Sequence, residues 1–92
     1  MREITVSVTE AHIAAGKPHN CELCPVALAL IDAGFLRPTV THAYFVARIS
    51  GNDRWVFLPQ GVGDFIHAFD HDPKSVQPFT FTVQVDGEEA RP

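Results

Sequence analysis

Residues 25–34, PVALALIDAG, constrain this chain more than any other stretch. Pro25 suits the first turn of a helix, where its missing N–H has no intrahelical partner to lose. Cys24 is then the N-cap, and Gly34 is the residue best able to take the left-handed conformation that ends a helix. Between them, Val26, Ala27, Leu28, Ala29, Leu30, Ile31 and Ala33 leave Asp32 as the one strongly polar position. A helix without a polar face has to be covered on several sides. The pattern therefore predicts that this helix is the centre of the domain, with Leu28 fully buried. Its N-terminus carries unpaired N–H groups and a partial positive charge, and faces Cys24 and whatever lies beside it.

At 92 residues, 46% hydrophobic and 20% charged, the chain suffices for one core and not for two. The expected organisation is a single compact domain over residues 1–87 with 88–92 as a polar tail. A formal charge of -4 argues against nucleic acid as a partner, because displacing counterions from phosphates takes clustered Lys and Arg. No run is long and apolar enough for a membrane span, no signal-peptide pattern opens MREITVSV, and no repeat or low-complexity tract interrupts the chain. Two cysteines are a poor disulfide framework and fit a reducing compartment, so a cytoplasmic protein is expected.

Along the chain, residues 3–8 alternate, with Ile4, Val6 and Val8 on the inner side of a half-buried strand. Thr9 offers an N-cap oxygen to a two-turn helix over 10–15 that Gly16 ends, with His12 near its start and Ile13 inward. Pro18 forces 17–23 into a loop. Residues 39–50 read as one long strand, with Ala43, Phe45, Ala47 and Ile49 on one face and His42, Tyr44, Val46 and Arg48 on the other. The second set is less polar than a solvent-facing set. Gly51, Asn52 and Asp53 are hairpin residues, and 54–58 return as the partner strand. Val62, Phe65, Ile66 and Phe69 form one stripe of a helix over 60–70, and Phe79, Phe81, Val83 and Val85 alternate along a last strand. The order β-α-α-β-β-α-β predicts an α+β domain, a mainly antiparallel four-stranded sheet with two or three helices packed on one face. The other face is left to solvent or to a second copy, so a homodimer is expected.

The CxxC at 21–24 admits several chemistries. His12, His19, Cys21 and Cys24 offer the nitrogen and sulfur ligands that zinc prefers, although no second CxxC or HxxxH block accompanies them. A CxxC at a helix N-terminus is also a dithiol redox arrangement, but here proline follows the pair and no strand delivers it. Cys24 as nucleophile, with His12 or His19 as base and Asn20 or Asp32 as orienting group, would make a cysteine-dependent enzyme. Against these stands a buried capping Cys24 beside a loop Cys21. Gly61 and Gly63 either expose backbone N–H groups to an anion or loosen a turn. Without any cofactor, His12, Lys17, His19, Cys24, Pro25 and Val26 surround a helix terminus suited to a small anionic ligand such as a phosphate, a carboxylate or a nucleotide. Tyr44 and Trp55 can stack on a flat ring.

TEAHIAAG at 9–16, CPVALAL at 24–30, FLPQGVGDFIHAFD at 57–70 and VQPFTF at 76–81 resemble segments of a group of small uncharacterised phage and actinobacterial proteins. The resemblance covers most of the chain. It implies a small accessory protein, with Cys24 and His12 inside the shared pattern and Cys21 outside it, and it brings no activity or cofactor. The expectation is a small non-enzymatic binding module of the phage accessory type, taking a host protein or a small anionic ligand. A cysteine-dependent enzyme or a zinc-stabilised domain is the alternative.

Overall fold

A computed structural model describes residues 2–49 and 51–85, so the tail expected at 88–92 lies outside the described residues. The elements are β1 (Arg2–Val8), α1 (Glu10–Ala15), α2 (Pro25–Asp32), β2 (Leu36–Val40), β3 (Tyr44–Ile49), β4 (Asn52–Phe57), α3 (Gln60–His71) and β5 (Phe79–Val85). The α+β class and the order of elements are as expected, with one strand divided in two. The run over 39–50 breaks because the Thr41 hydroxyl accepts from the Ala43 and Tyr44 N–H groups, at 3.3 and 3.2 Å, and donates to the Tyr44 carbonyl at 2.9 Å. That side-chain turn folds β2 back on β3. A second irregularity, between Leu36 and Thr39, holds Arg37 at a positive φ of 50° beside Pro38.

Five strands in two antiparallel sheets, β1-β5 and β2-β3-β4, thus stand where one sheet of four strands was expected. In the first, Val6 lies opposite Phe81 and Ile4 opposite Val83. In the second, Tyr44 lies opposite Phe57 and Val46 opposite Trp55. The hairpin turns at Gly51, with φ 85°, while Asn52 and Asp53 already belong to β4.

Helix α2 sits against β1, β2 and α1. It ends as its sequence requires. Gly34 takes φ 107°, its N–H donates to the Ile31 carbonyl at 3.0 Å, and the Phe35 N–H donates to the Leu30 carbonyl at 3.0 Å. These two bonds satisfy the Leu30 and Ile31 carbonyls, and the apolar contact that accompanies such an ending is supplied by buried Leu30 and Phe35. Val26, Ala27 and Leu30 are fully enclosed, but Leu28 is only half-buried, and Ile31 and Asp32 are exposed. The helix is therefore not covered all round: positions 28, 31 and 32 share one face, three and four residues apart, and that face meets solvent.

Two glycines permit close approach. A Cβ at Gly16 would stand 2.6 Å from Cδ of Pro25, which lets the end of α1 press on the start of α2. A Cβ at Gly63 would overlap the His42 carbonyl oxygen, so α3 lies directly on the 41–43 turn. The glycine pair of α3 thus serves packing at Gly63, while Gly61 has open space around it.

Candidate functional site

The 17–24 loop and the 41–43 turn enclose a cleft of about 360 Å³, lined by His19, Asn20, Cys21, Cys24, Val40, Thr41, His42, Ile66 and Asp70. Its loop wall is held by hydrogen bonds to the side chain and backbone of Asn20 and to β2. Asn20 accepts from the Glu22 and Leu23 N–H groups through its side-chain oxygen, both at 3.0 Å, and from the Cys24 N–H through its carbonyl at 3.0 Å. The Val40 N–H donates to the Cys21 carbonyl at 2.9 Å, tying the loop to β2. His19 takes a positive φ of 58°, and its N–H donates to Asp70 Oδ1 of α3 at 2.9 Å. The opposite wall is fixed by the His42 ring, stacked on His67 with centroids 3.8 Å apart.

Cys24 caps α2 as anticipated. Its Sγ accepts from the Ala27 N–H at 3.4 Å, and the residue is 4% exposed. Burial pushes the thiol above its ordinary pKa; the Ala27 and Val26 N–H groups pull the other way, and nearby Asp70 and Cys21 add to the rise. A nucleophilic cysteine needs the reverse, a lowered pKa. Cys21, in contrast, is exposed.

His12 has a different occupation from those proposed for it. Its Nδ1 accepts from the Thr9 N–H at 2.9 Å while the Thr9 Oγ1 accepts from the His12 N–H at 3.3 Å, a reciprocal capping box with histidine in the place usually held by Glu or Gln. Its Nε2 stands 2.5 Å from Asp32 Oδ2. Since Nδ1 is the acceptor, Nε2 carries the proton and donates to Asp32, so His12 bridges α1 to the end of α2 and both its nitrogens are engaged. The chain distance of three from a threonine N-cap was the signal for this role.

Of the anticipated binding residues, the fold brings His19 and Cys24 into the cleft. His12 is engaged with Thr9 and Asp32, Lys17 is exposed on the loop outside the cleft lining, and Pro25 and Val26 are buried in the core. Tyr44 lies on the sheet, stacked on Trp55 with centroids 4.6 Å apart. An anion in the cleft would sit beside the Asp70 carboxylate. Of the four side chains considered for zinc, His19, Cys21 and Cys24 line the cleft and His12 does not; among the described residues no group of three or more His, Cys, Asp or Glu is placed to hold a metal ion.

The second feature was less visible in the sequence. On the open face of β2-β3-β4, Trp55 is 66% exposed, Phe57 78% and Leu36 62%, next to half-buried Tyr44 and Val46. Strand register explains the grouping: Tyr44 and Val46 on β3 project on the same side as their partners Phe57 and Trp55 on β4. Arg48 and Asp53, paired at 3.5 Å, mark one end of this surface. Beyond β4, a groove runs between residues 55–59 and Thr82, Val83 and Gln84 of β5. No helix among the described residues is long and apolar enough to cross a membrane. Comparison with family models, with curated proteins and with solved structures returns no match for this chain.

Proposed function

We propose that the protein is a non-enzymatic protein-contact module that pairs with a second copy of itself through the open face of the three-stranded sheet. The observation that carries this reading is the unbroken aromatic surface of Tyr44, Trp55 and Phe57. From their exposures, Trp55 and Phe57 each leave roughly 100–200 Å² of side chain in water. With Leu36 the patch reaches roughly 300–400 Å², the range in which an exposed apolar patch on a soluble protein tends to be functional. A standard interface buries about 800 Å² per partner, around an apolar centre with a polar rim. Here Thr39, Arg48, Asp53, Thr82 and Gln84 supply that rim. Two-fold symmetry suits the charges as well, since it can bring Arg48 of one copy toward Asp53 of the other.

Sequestration of a small anion is less well supported, because Asp70 lines the cleft in which His19 and Cys24 take part. A Cys24 nucleophile is opposed by its raised thiol pKa and by the engagement of His12 elsewhere. In the phage accessory setting that the sequence resemblance implies, the aromatic face or the dimer built on it is what a host protein would meet.

Sedimentation and light scattering at micromolar concentration test the proposal. The wild type is expected to be a dimer. The double variant Trp55→Ser/Phe57→Thr is expected to be a monomer with an unchanged far-UV spectrum, because both side chains lie outside the core. A monomeric wild type, or a dimer indifferent to the double substitution, refutes it.

A further inference from the structure

We infer that Cys21 and Cys24 form a reversible dithiol site, in which Cys21 attacks a small-molecule disulfide entering the cleft and Cys24 resolves the adduct into an intramolecular disulfide. The inference is independent of the sheet-face reading. Both cysteines line the same cleft, one exposed and one buried, as an attacking and a resolving residue should be. The backbone between them is fixed by the Asn20 bonds to residues 22, 23 and 24 and by the bond from Val40 to Cys21. The bond from the Cys24 N–H to the Asn20 carbonyl, at 3.0 Å, closes the turn that carries both cysteines, and a disulfide between them needs Cβ atoms about 3.5–4.5 Å apart. At about 360 Å³ the cleft stands near the lower end of ligand-pocket size, enough for a small disulfide.

The division of labour follows from the surroundings. Cys24 is shielded, and its proton is held more tightly than that of an ordinary thiol, so it is the poorer first nucleophile. Cys21 thiolate attacks one sulfur of the small disulfide RSSR; the S–S bond breaks, one RS⁻ leaves, and Cys21 carries the other RS group. Cys24 sulfur then attacks Cys21 Sγ and expels the second RS⁻, which takes up the Cys24 proton. In sum the protein dithiol is oxidised by two electrons and RSSR is reduced to two RSH. Bond formation withdraws the Cys24 sulfur toward Cys21 and weakens its cap on Ala27, which couples the redox state to the start of the core helix.

The test equilibrates the native 92-residue chain with mixtures of 2-hydroxyethyl disulfide and 2-mercaptoethanol, a small uncharged couple, at mildly alkaline pH in the presence of a chelator. Samples are quenched in acid, alkylated after unfolding and weighed by mass spectrometry. The wild type is expected to lose both alkylatable thiols together, with the mass of two hydrogens and no retained mercaptoethanol. Cys24→Ser keeps an oxygen at the cap, where serine is favoured, so the variant is expected to fold and to accumulate one mercaptoethanol on Cys21. Cys21→Ser is expected to keep a free Cys24. A wild type that stays fully reduced, or that stops at a stable Cys21–mercaptoethanol adduct, overturns the inference.

Discussion

Leu30→Ala tests whether α2 is the centre of the core and which of its faces points inward. Leu30 is fully enclosed and sits one turn before the helix end, where it meets Phe35 across the closing bonds at Gly34. Three carbons are lost, worth about 2.4 kcal/mol at about 0.8 kcal/mol per buried methylene. The cavity left among Val26, Phe35 and the strands adds to this, because the surrounding helix and sheet relax only in part, so the expected cost is about 3–4 kcal/mol. A chain of this length is stable by about 5–14 kcal/mol, and the variant should still fold. Leu28→Ala, on the half-buried face with Ile31 and Asp32, is expected to cost about 1 kcal/mol. Urea unfolding followed by far-UV circular dichroism measures both; the largely exposed Trp55 is a poor reporter. A Leu28 cost equal to or above that of Leu30, or a Leu30 cost below about 1 kcal/mol, would mean that the inward face is misassigned.

Gly63→Ala should destabilise by about 1–3 kcal/mol, the range for overpacking, because the new methyl meets the His42 carbonyl. Gly61→Ala, two residues earlier in open space, should stabilise by up to about 1 kcal/mol through helix propensity, and thermal melts of the pair should move in opposite directions. Thr9→Ala should cost about 0.5–2 kcal/mol as a lost N-cap, and His12→Gln should cost less than His12→Ala because an amide oxygen can still accept from the Thr9 N–H; equal losses in chemical denaturation would refute the capping role of the ring. The raised Cys24 pKa fixes a sign as well. Above about 8.5, where an unfolded thiol ionises, the folded state binds more protons than the unfolded one, so stability falls as pH rises toward the folded value. Cys24→Ser should lack that increment, and superimposable profiles of urea midpoint against alkaline pH would show that the thiol is solvated in the folded protein.

Most elements were legible because their signals are local. Thr9 and Gly16 bracket α1, Pro25 and Gly34 bracket α2, and the alternation of β1 and β5 and the stripe of α3 each follow from one periodicity. The break at 41–43 was not legible. Thr39, Val40 and Thr41 are all good strand formers, and what divides them is a hydroxyl bonding to its own neighbourhood, which competes with the ladder only once β2 has a partner to fold onto. Full burial of Leu28 was expected because the composition of α2 leaves no polar face. The helix is in fact covered by two strands and a short helix, which leave a strip open at 28, 31 and 32.

For the site, Cys24 does line the cleft, but most of the company expected for it does not. Proximity in sequence grouped His12 and Lys17 with Cys24, but the capping box turns His12 toward Asp32, and the cleft is completed by His42 and Asp70 from elements that follow later in the chain. Neither could be inferred without knowing that Gly63 allows α3 to rest on the 41–43 turn, which brings both residues to the loop. The aromatic surface has a similar origin. Tyr44, Trp55 and Phe57 are scattered in sequence among polar and charged residues, and only the pairing of Tyr44 with Phe57 and of Val46 with Trp55 gathers them on one side. The cleft and the sheet face are distinct chemically as well as spatially, since one offers two thiols and a carboxylate and the other a nearly uncharged aromatic surface. Oxidation at Cys21 and Cys24 acts on the N-terminal cap of α2, whose buried face packs on β1 and β2. Because β2 is hydrogen-bonded to β3, on which Tyr44 sits, the cap and the aromatic surface are joined through the core rather than across the surface. The dimerisation constant of the Trp55 face should therefore be measured in both redox states: a difference would locate the coupling in the α2–β2 packing, and equal constants would show that the core transmits nothing between them.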